Sequence, residues 1–225
     1  VIFMPPMVYL TREAFVQLLL NTLELYPLED TGLLFGFRDQ DPDTVDYEVI
    51  MANPHIKVED RTDNEIVEHY SSLLQIIEGH KRISGLTHLG GYHTHPDDDA
   101  DFSKSDREYL ETKGLDTIEL VIGVEKLEHA DEEVLGWDIK KDDKLLQAVV
   151  PVGANIFSIT MRGYRVIDEK IDNLDLRCAY VEMIDALNEY GKFNYNTLGD
   201  IYEYARSLSK EIYPLYDLLA ELEDT

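Results

Sequence analysis

Apolar residues recur every three or four positions in three early segments of the chain, which is the spacing of one face of an α-helix. The first segment spans residues 11–26, where Thr11 is placed to cap a helix and Pro27 to end it. The second spans residues 63–80, with Asp63 as the expected cap, and the third spans residues 103–113. We therefore predict three helices in the first half of the chain.

Between these helices the pattern changes to short apolar or alternating runs, which predict β-strands. The runs are "TGLLFGFRD", "VDYEVIMA", "GLTHLGGYHTH", "TIELVIGVE", "EEVLGWDIK" and "KLLQAVVPV". The first two are joined by the turn "DQDPDT" and predict a hairpin. The predicted order is α, β, β, α, β, α, β, β, β, which is an α/β (α+β) core.

Helical spacing dominates again after about Ser158, in "LDLRCAYVEMIDALNEYG" and "TLGDIYEYARSLSKEIYPLYDLLAEL". We therefore expect a core at residues 1–158 and a helical C-terminal extension at residues 159–225. Seven of the fourteen tyrosines fall between Tyr180 and Tyr216. Tyrosine is frequent at protein interfaces, so the extension could pack onto the core, bind a protein partner or form a homodimer.

The charge and cysteine content narrow the class of protein. The formal net charge is −26, and Lys and Arg are not clustered, so we expect neither nucleic acid nor an acidic membrane as a partner. A single cysteine, Cys178, excludes an intrachain disulfide, and no apolar run approaches the roughly 20 residues of a membrane helix. We expect a cytoplasmic protein.

Two of the seven histidines, His93 and His95, lie one residue apart at the end of a predicted strand. Residues i and i+2 of a strand point to the same face, so the two imidazoles lie side by side. Pro96 ends the strand and places the pair where a site can open to solvent. The pattern indicates two metal ligands, although incidental surface histidines produce it too.

The candidate third ligand is Asp106. If Ser103 caps the helix at 103–113, Asp106 takes the third helical position, where a capping box would use both side chains only to satisfy backbone N–H groups. The alternative is a metal ion held by two histidines and one carboxylate, with a fourth position for water, as in catalytic zinc sites. Both interpretations are open at this point.

The stretch "HTHPDDDADFSKSD" contains the motif His-x-His-Pro-x6-Ser-x2-Asp and resembles the JAMM (MPN-plus) zinc metallo-isopeptidases. A second signature of that family, Glu-x-x-Gly-x-Leu-x-Gly, matches "EDTGLLFG", which begins at Glu29. The resemblance covers about residues 7–152. It implies a three-layer core in which a curved mixed sheet is flanked by helices, similar to the cytidine deaminases.

The resemblance also implies roles. His93, His95 and Asp106 would bind one Zn²⁺ ion, Glu29 would be the general base for the zinc-activated water, and Ser103 would donate a hydrogen bond to the oxyanion. The substrate bond would be a peptide or isopeptide bond at the C-terminus of a ubiquitin-like or sulfur-carrier-like protein. A non-catalytic MPN scaffold that assembles through the tyrosine-rich C-terminal helices is the alternative, and an amidase for small molecules or peptides is a third.

Three further features bear on this hypothesis. Glu24 lies close to Glu29 and competes with it for the role of base. The acidic run from Asp97 to Asp101 is either a solvated loop or a docking site for a basic patch on a partner. The long segment 53–89 departs from the family pattern, and we expect it to shape substrate choice.

Overall fold

The computed structural model of the chain describes residues 6–39, 47–55, 58–61, 66–68, 70–113, 117–128, 138–142, 144–167 and 170–191. The chain divides into two compact units, Val1–Glu182 and Met183–Thr225. In the part of the chain that the structure describes, no helix is both long and apolar enough to cross a membrane.

Strands outnumber helices among the described residues. In chain order, the elements are β1 (Met7–Leu10), α1 (Arg12–Leu25), β2 (Thr31–Arg38), β3 (Tyr47–Pro54), β4 (Val58–Arg61), β5 (Ile66–Glu68), α2 (Tyr70–Ile83), β6 (Thr87–Pro96), α3 (Lys104–Lys113), β7 (Thr117–Leu127), β8 (Asp138–Asp142), β9 (Leu145–Val152), β10 (Asn155–Ile167), β11 (Lys170–Cys178) and α4 (Ala179–Gly191). The predicted order from the first helix to the ninth element is recovered from α1 to β9, with β4 and β5 inserted.

Helix α1 forms where the sequence predicts it. Thr11 is in the extended conformation, and its Oγ1 accepts a hydrogen bond of 3.3 Å from the backbone N of Ala14, which is the expected N-cap. Phe15 and Leu18 are buried on the inner face. The hydroxyl of Thr22 donates a hydrogen bond of 2.8 Å to the carbonyl oxygen of Leu18. The cap therefore fixes where α1 begins, and the apolar face packs the helix into the core.

The nine-stranded sheet of the described residues has the order β11-β1-β3-β2-β6-β7-β10-β9-β8, and β11 also pairs with β10. This extra pairing closes seven strands, from β11 through β2 and β6 to β10, into a ring. The length of β10 permits the closure, because residues 155–161 pair with β9 and residues 163–167 pair with β11. The parallel pairs β1–β11, β1–β3 and β6–β7 make the sheet mixed.

The second helix is shorter than predicted. Residues 63–80 were expected to be helical from Asp63, but α2 begins at Tyr70, and Asp63 lies outside the described residues. Ile66–Glu68 forms β5, which pairs with β4 in a separate two-stranded sheet. The apolar spacing of Ile66 fits a helix, but pairing with β4 overrides that local preference.

The predicted helical extension from residue 159 is wrong in its first part. The proposed boundary after Ser158 falls inside β10, where Phe157, Ile159 and Met161 are buried alternately and continue the strand. β11 follows, and Cys178 is its last residue rather than part of a helix. Helix begins only at Ala179, and residues 192–225 lie outside the described residues. The helical character of residues 192–225 stays a prediction, as do the three layers and the likeness to cytidine deaminases.

Close packing of β2 on β3 depends on a glycine. A Cβ on Gly36 would lie 2.9 Å from the carbonyl carbon of Glu48 and closer still to its oxygen, and this contact is with rigid backbone. We expect Gly36→Ala to lower the free energy of unfolding by about 1–3 kcal/mol, because overpacking must shift the strand. Urea denaturation monitored by circular dichroism measures the change.

Gly79→Ala is the matched control, because a Cβ on Gly79, inside α2, meets no atom within 4 Å. Alanine there should raise the free energy of unfolding by about 0.4–1 kcal/mol. If both substitutions shift stability in the same direction, the packing argument for Gly36 is wrong.

Candidate metal centre

Strand β6 carries the two histidines through the middle of the sheet. It runs antiparallel to β2 and parallel to β7. His93 and His95 share one face of β6, and Tyr92 and Thr94 share the other, where both are fully buried. The face of β6 that carries Tyr92 and Thr94 therefore anchors the strand, and the face that carries the two imidazoles is available for chemistry.

A buried set of hydrogen bonds holds the start of β2 against β6. The backbone N of Asp30 donates to Oγ1 of Thr94 at 2.7 Å, and the backbone N of Thr94 donates to the carbonyl of Asp30 at 2.9 Å. The hydroxyl of Tyr92 donates to Oδ2 of Asp30 at 2.9 Å. Because Asp30 follows Glu29 directly, these bonds fix the backbone at Glu29 beside the histidine strand.

The three residues predicted as ligands come together. Oδ2 of Asp106, in the first turn of α3, lies 3.2 Å from Nε2 of His95 and 3.6 Å from Nε2 of His93. One possible ligand atom from each of the three residues lies within 4.8 Å of the others. The cluster could therefore hold a metal ion.

Each imidazole has its Nδ1 beside an acceptor, which fixes the tautomer of the neutral ring. Nδ1 of His93 lies 2.9 Å from Oε1 of Glu119, and Nδ1 of His95 lies 3.2 Å from the carbonyl oxygen of Asp99. A carboxylate and a carbonyl only accept, so Nδ1 carries the proton in each ring and a neutral ring presents the lone pair of Nε2. This is the arrangement in which histidine binds a metal.

Nε2 of His93 supplies a test of the fit. It is buried and makes no hydrogen bond among the described residues. Oδ2 of Asp106 lies 3.6 Å from it, which is too long for a hydrogen bond, and a buried polar atom left unsatisfied in this way is costly. A cation between the two Nε2 atoms and the carboxylate of Asp106 would satisfy it, so the donor set fits a metal such as zinc.

Ser103 and Asp106 form the capping box as well as the cluster. The backbone N of Ser103 donates to Oδ2 of Asp106 at 2.8 Å, and the backbone N of Asp106 donates to Oγ of Ser103 at 3.2 Å. The Oδ2 atom that accepts from Ser103 is also the one nearest the imidazoles. The two interpretations of these residues are therefore compatible, because the cap orients the carboxylate.

The site favours a positive charge. Burial opposes the charged form of His93, but the carboxylates of Asp106 and Glu119 outweigh burial and raise its pKa to about 10. Burial likewise opposes the ionised form of Asp106, but His93 and His95 hold its pKa well below the usual range. A proton or a metal ion can supply the charge that these carboxylates need.

The acidic run after the histidines is tied to the core at both ends. At one end the hydroxyl of Tyr26 donates to Oδ1 of Asp97 at 2.6 Å, and this bond, together with burial, raises the pKa of Tyr26 to about 12. At the other, the hydroxyl of Tyr164 and Nε of Arg162 each lie 3.1 Å from Oδ1 of Asp101. The four aspartates of the run are exposed, but the loop that carries them is held in place.

The predicted base, Glu29, lies half-buried in the connection between α1 and β2. Its competitor Glu24 is exposed within α1. The structure gives the position of Glu29 in the chain fold, and its role as the general base stays a prediction. The role of Ser103 as the oxyanion donor stays a prediction too.

Sequence reasoning missed Glu119. It is the one acidic residue within the apolar run "TIELVIGV", and its side chain is only 13% exposed. That isolation is the signal that could have found it, because a buried carboxylate needs a partner. The partner, His93, lies 26 residues away on the neighbouring strand, and spacing along the chain does not reveal it.

A mixed α/β fold with a His-His-Asp cluster at the end of a central strand defines a candidate metal-binding protein. Residues 11–140 match the family described as prokaryotic homologs of the JAB domain, and the chain belongs to that family. The resemblance to the JAMM/MPN proteins is thereby confirmed.

One solved structure extends the fold comparison. The solution structure of protein DSY2949 from Desulfitobacterium hafniense has a TM-score of 0.53 and 19% sequence identity. The match covers 76% of this chain and 92% of that one. At this identity the likeness concerns the fold alone. No curated protein matches the chain.

The cluster makes a direct prediction about metal content. Wild-type protein without a tag, loaded with Zn²⁺ and desalted, should retain about one zinc per chain by elemental mass spectrometry. The His93→Ala, His95→Ala double variant should retain none, because two of its three ligands are gone.

Asp98→Asn is the control for nonspecific binding by the acidic loop. Asp98 is exposed, and its Oδ1 accepts the backbone N–H of Asp99, which the amide oxygen of asparagine can also do. We expect wild-type zinc content in this variant. Zinc that survives in the double histidine variant would place the metal elsewhere.

Proposed function

We propose that the protein is a zinc-dependent hydrolase that cleaves a peptide or isopeptide bond at the C-terminus of a ubiquitin-like or sulfur-carrier-like protein. The single observation that carries the proposal is the buried Nε2 of His93, which makes no hydrogen bond with any residue that the structure describes and faces Asp106 beside His95. Membership of the JAB family supports it, because that family includes metallo-isopeptidases.

In this proposal His93 and His95 hold the ion through Nε2, and Asp106 holds it through its carboxylate. When bound, Zn²⁺ supplies a Lewis acid that lowers the pKa of a water toward roughly 7 and polarises the scissile carbonyl. The protein's own part is to place a base and a hydrogen-bond donor beside that position.

Glu29 is the proposed base. It takes a proton from the attacking water and returns it to the leaving amine. The strand register supports this role, because Thr31 lies opposite His93 and Asp30 bonds with Thr94. If the same register is extended by one residue beyond Asp30, Glu29 would lie level with His95, on the face that the imidazoles share.

Ser103 is the proposed donor to the oxyanion. Its Oγ accepts the backbone N–H of Asp106, so its own proton is left to donate, either to Oγ of Ser105 at 2.9 Å or to a substrate. A donor of this kind is worth about 2.7–4 kcal/mol in other hydrolases.

The substrate class comes from the resemblance to the JAMM metallo-isopeptidases, and the charge of the chain agrees with it. Extended tails that end in small residues can add as a strand to a sheet edge, with specificity coming from the folded body of the partner. The two-stranded sheet of β4 and β5 lies in the segment 53–89, which departs from the family pattern and which we expect to shape substrate choice. The exposed aspartates of the run 97–101, in a chain of net charge −26, favour a partner with a basic patch.

Glu29→Gln separates an enzyme from a scaffold. We expect it to lower turnover by roughly 10²–10⁴-fold, because glutamine cannot carry the proton, while zinc content and thermal stability stay unchanged. The assay uses ubiquitin-like and sulfur-carrier proteins extended by a short peptide beyond the C-terminal Gly-Gly, with mass spectrometry of the products.

Glu24→Gln is the matched control and should cleave like wild type, since Glu24 is exposed on α1. Equal loss in the two variants would remove Glu29 from its role. If zinc-loaded wild type cleaves nothing in the panel, the alternative of a non-catalytic MPN scaffold assembling through the C-terminal helices gains support.

Ser103→Ala should reduce kcat by about 10²–10³-fold, the loss typical of one oxyanion donor. It also removes the cap of α3, so thermal unfolding must be measured beside it. Ser103→Thr keeps a hydroxyl and a cap and should restore both properties, whereas Ser105→Ala should leave kcat unchanged. A Ser103→Ala variant that loses stability but keeps kcat would leave Ser103 as a cap only.

A further inference from the structure

Glu119 is a buried carboxylate in contact with His93, and the reaction proposed above gives it no part. We propose that Glu119 is a positioning residue for the metal ligand His93, and that Gly91 is glycine in order to leave room for it. The inference rests on the metal site of the proposed function and is independent of the substrate.

The register of two parallel strands brings Glu119 to the histidine. In the β6–β7 pair, Gly91 lies beside Glu119 and His93 lies beside Val121. Gly91 and His93 share a face of β6, because they are two residues apart. Glu119 therefore passes over Gly91 and reaches Nδ1 of His93 at 2.9 Å.

Gly91 is required for space rather than for backbone conformation. A Cβ on Gly91 would lie 2.9 Å from Oε2 and 3.4 Å from Oε1 of Glu119. Its neighbour Gly90 differs, because a φ of +153° explains the glycine there. No such φ applies at Gly91. The atom that its side chain would meet first is Oε2 of Glu119, the second oxygen of the carboxylate that holds His93, and the carbonyl oxygen of Gly32 follows at 3.3 Å.

The two histidines are held in different ways. Nδ1 of His93 donates to a carboxylate, whereas Nδ1 of His95 donates to the neutral backbone carbonyl of Asp99. Hydrogen bonds to an ionised acceptor are roughly twice as strong as neutral ones. A carboxylate in this position also increases the basicity of the imidazole as a ligand. His93 is therefore the histidine of the pair whose Nε2 donates its lone pair more strongly to a metal.

Burial makes the contact effective. The side chains of His93 and Glu119 are only 17% and 13% exposed, so solvent screens their interaction weakly. Glu125, on the same strand β7, is exposed and offers a comparison of equal charge.

The experiment measures zinc affinity by competition with a chromophoric chelator in the full chain. Glu119→Gln keeps a hydrogen-bond acceptor but loses the charge, and we expect a zinc Kd about 10–100-fold weaker than wild type. Glu119→Ala removes both and should bind at least as weakly. Gly91→Ala, which displaces the carboxylate without removing it, should also weaken zinc binding, and Glu125→Gln should bind like wild type.

A second readout separates positioning from general stability. The nitrogen chemical shifts of His93 in the zinc-loaded protein should report Nδ1–H in wild type and in Glu119→Gln, and a mixture of ligating nitrogens in Glu119→Ala. Thermal unfolding of the metal-free variants shows how much Glu119 contributes without zinc.

The outcomes are distinct. Glu119→Gln and Glu119→Ala variants that lose stability without zinc but keep the wild-type Kd would overturn the inference and leave Glu119 as a structural residue. Weakened binding in Glu125→Gln to the same extent would overturn it too, since bulk charge would then be the cause. A wild-type protein that binds no zinc would overturn the metal site itself, and this inference with it.

Discussion

The hydrogen bonds between Asp30 and Thr94 are the constraint on which the site depends. Both residues are buried, and the bonds fix the register of β2 on β6. A slip of one residue in a strand pair turns every side chain to the opposite face. If β6 slipped, His93 and His95 would turn to the face that Tyr92 and Thr94 occupy now, and Tyr92 and Thr94 would replace them beside Asp106. The polar contacts in this part of the core therefore specify the register of β2 on β6.

The second constraint is local and lies within four residues. Ser103 and Asp106 satisfy each other's backbone N–H groups at the start of α3, which sets both the first turn of the helix and the direction of the Asp106 carboxylate. The N-terminal end of a helix also favours a negative charge. The aspartate is thus oriented by its own helix before the histidines contribute, and the strand and the helix bring independently fixed ligands together.

What could be predicted from the sequence follows the range of the interactions. Helices α1 and α3 carry their own caps at Thr11 and Ser103, and the His-x-His pair carries its geometry within one strand. β1 was missed because it is four residues long and forms through partners distant in the chain, β3 and β11. Glu119 was missed for the same reason, because its contact with His93 is made across two neighbouring strands. The segments after Ser158 were assigned to helices because their apolar residues run directly into a true helix at Ala179. Such a run can be fitted both by the helical period of about 3.6 residues and by the strand period of two.

The pairing of β11 with both β1 and β10 has a consequence for how the chain folds as it is made. Residues 7–10 of β1 align with residues 175–178 of β11, so the ring cannot close until almost the whole first unit has been synthesised. At about 5–20 residues per second, the early strands wait many seconds for their last neighbour. The stretch that matches the family ends at residue 140, before β10 covers the second edge of β7. During that interval one edge of β7 waits for β10, and because an unpaired strand edge can pair with another chain, we expect aggregation to be favoured while the metal ligands have already been synthesised.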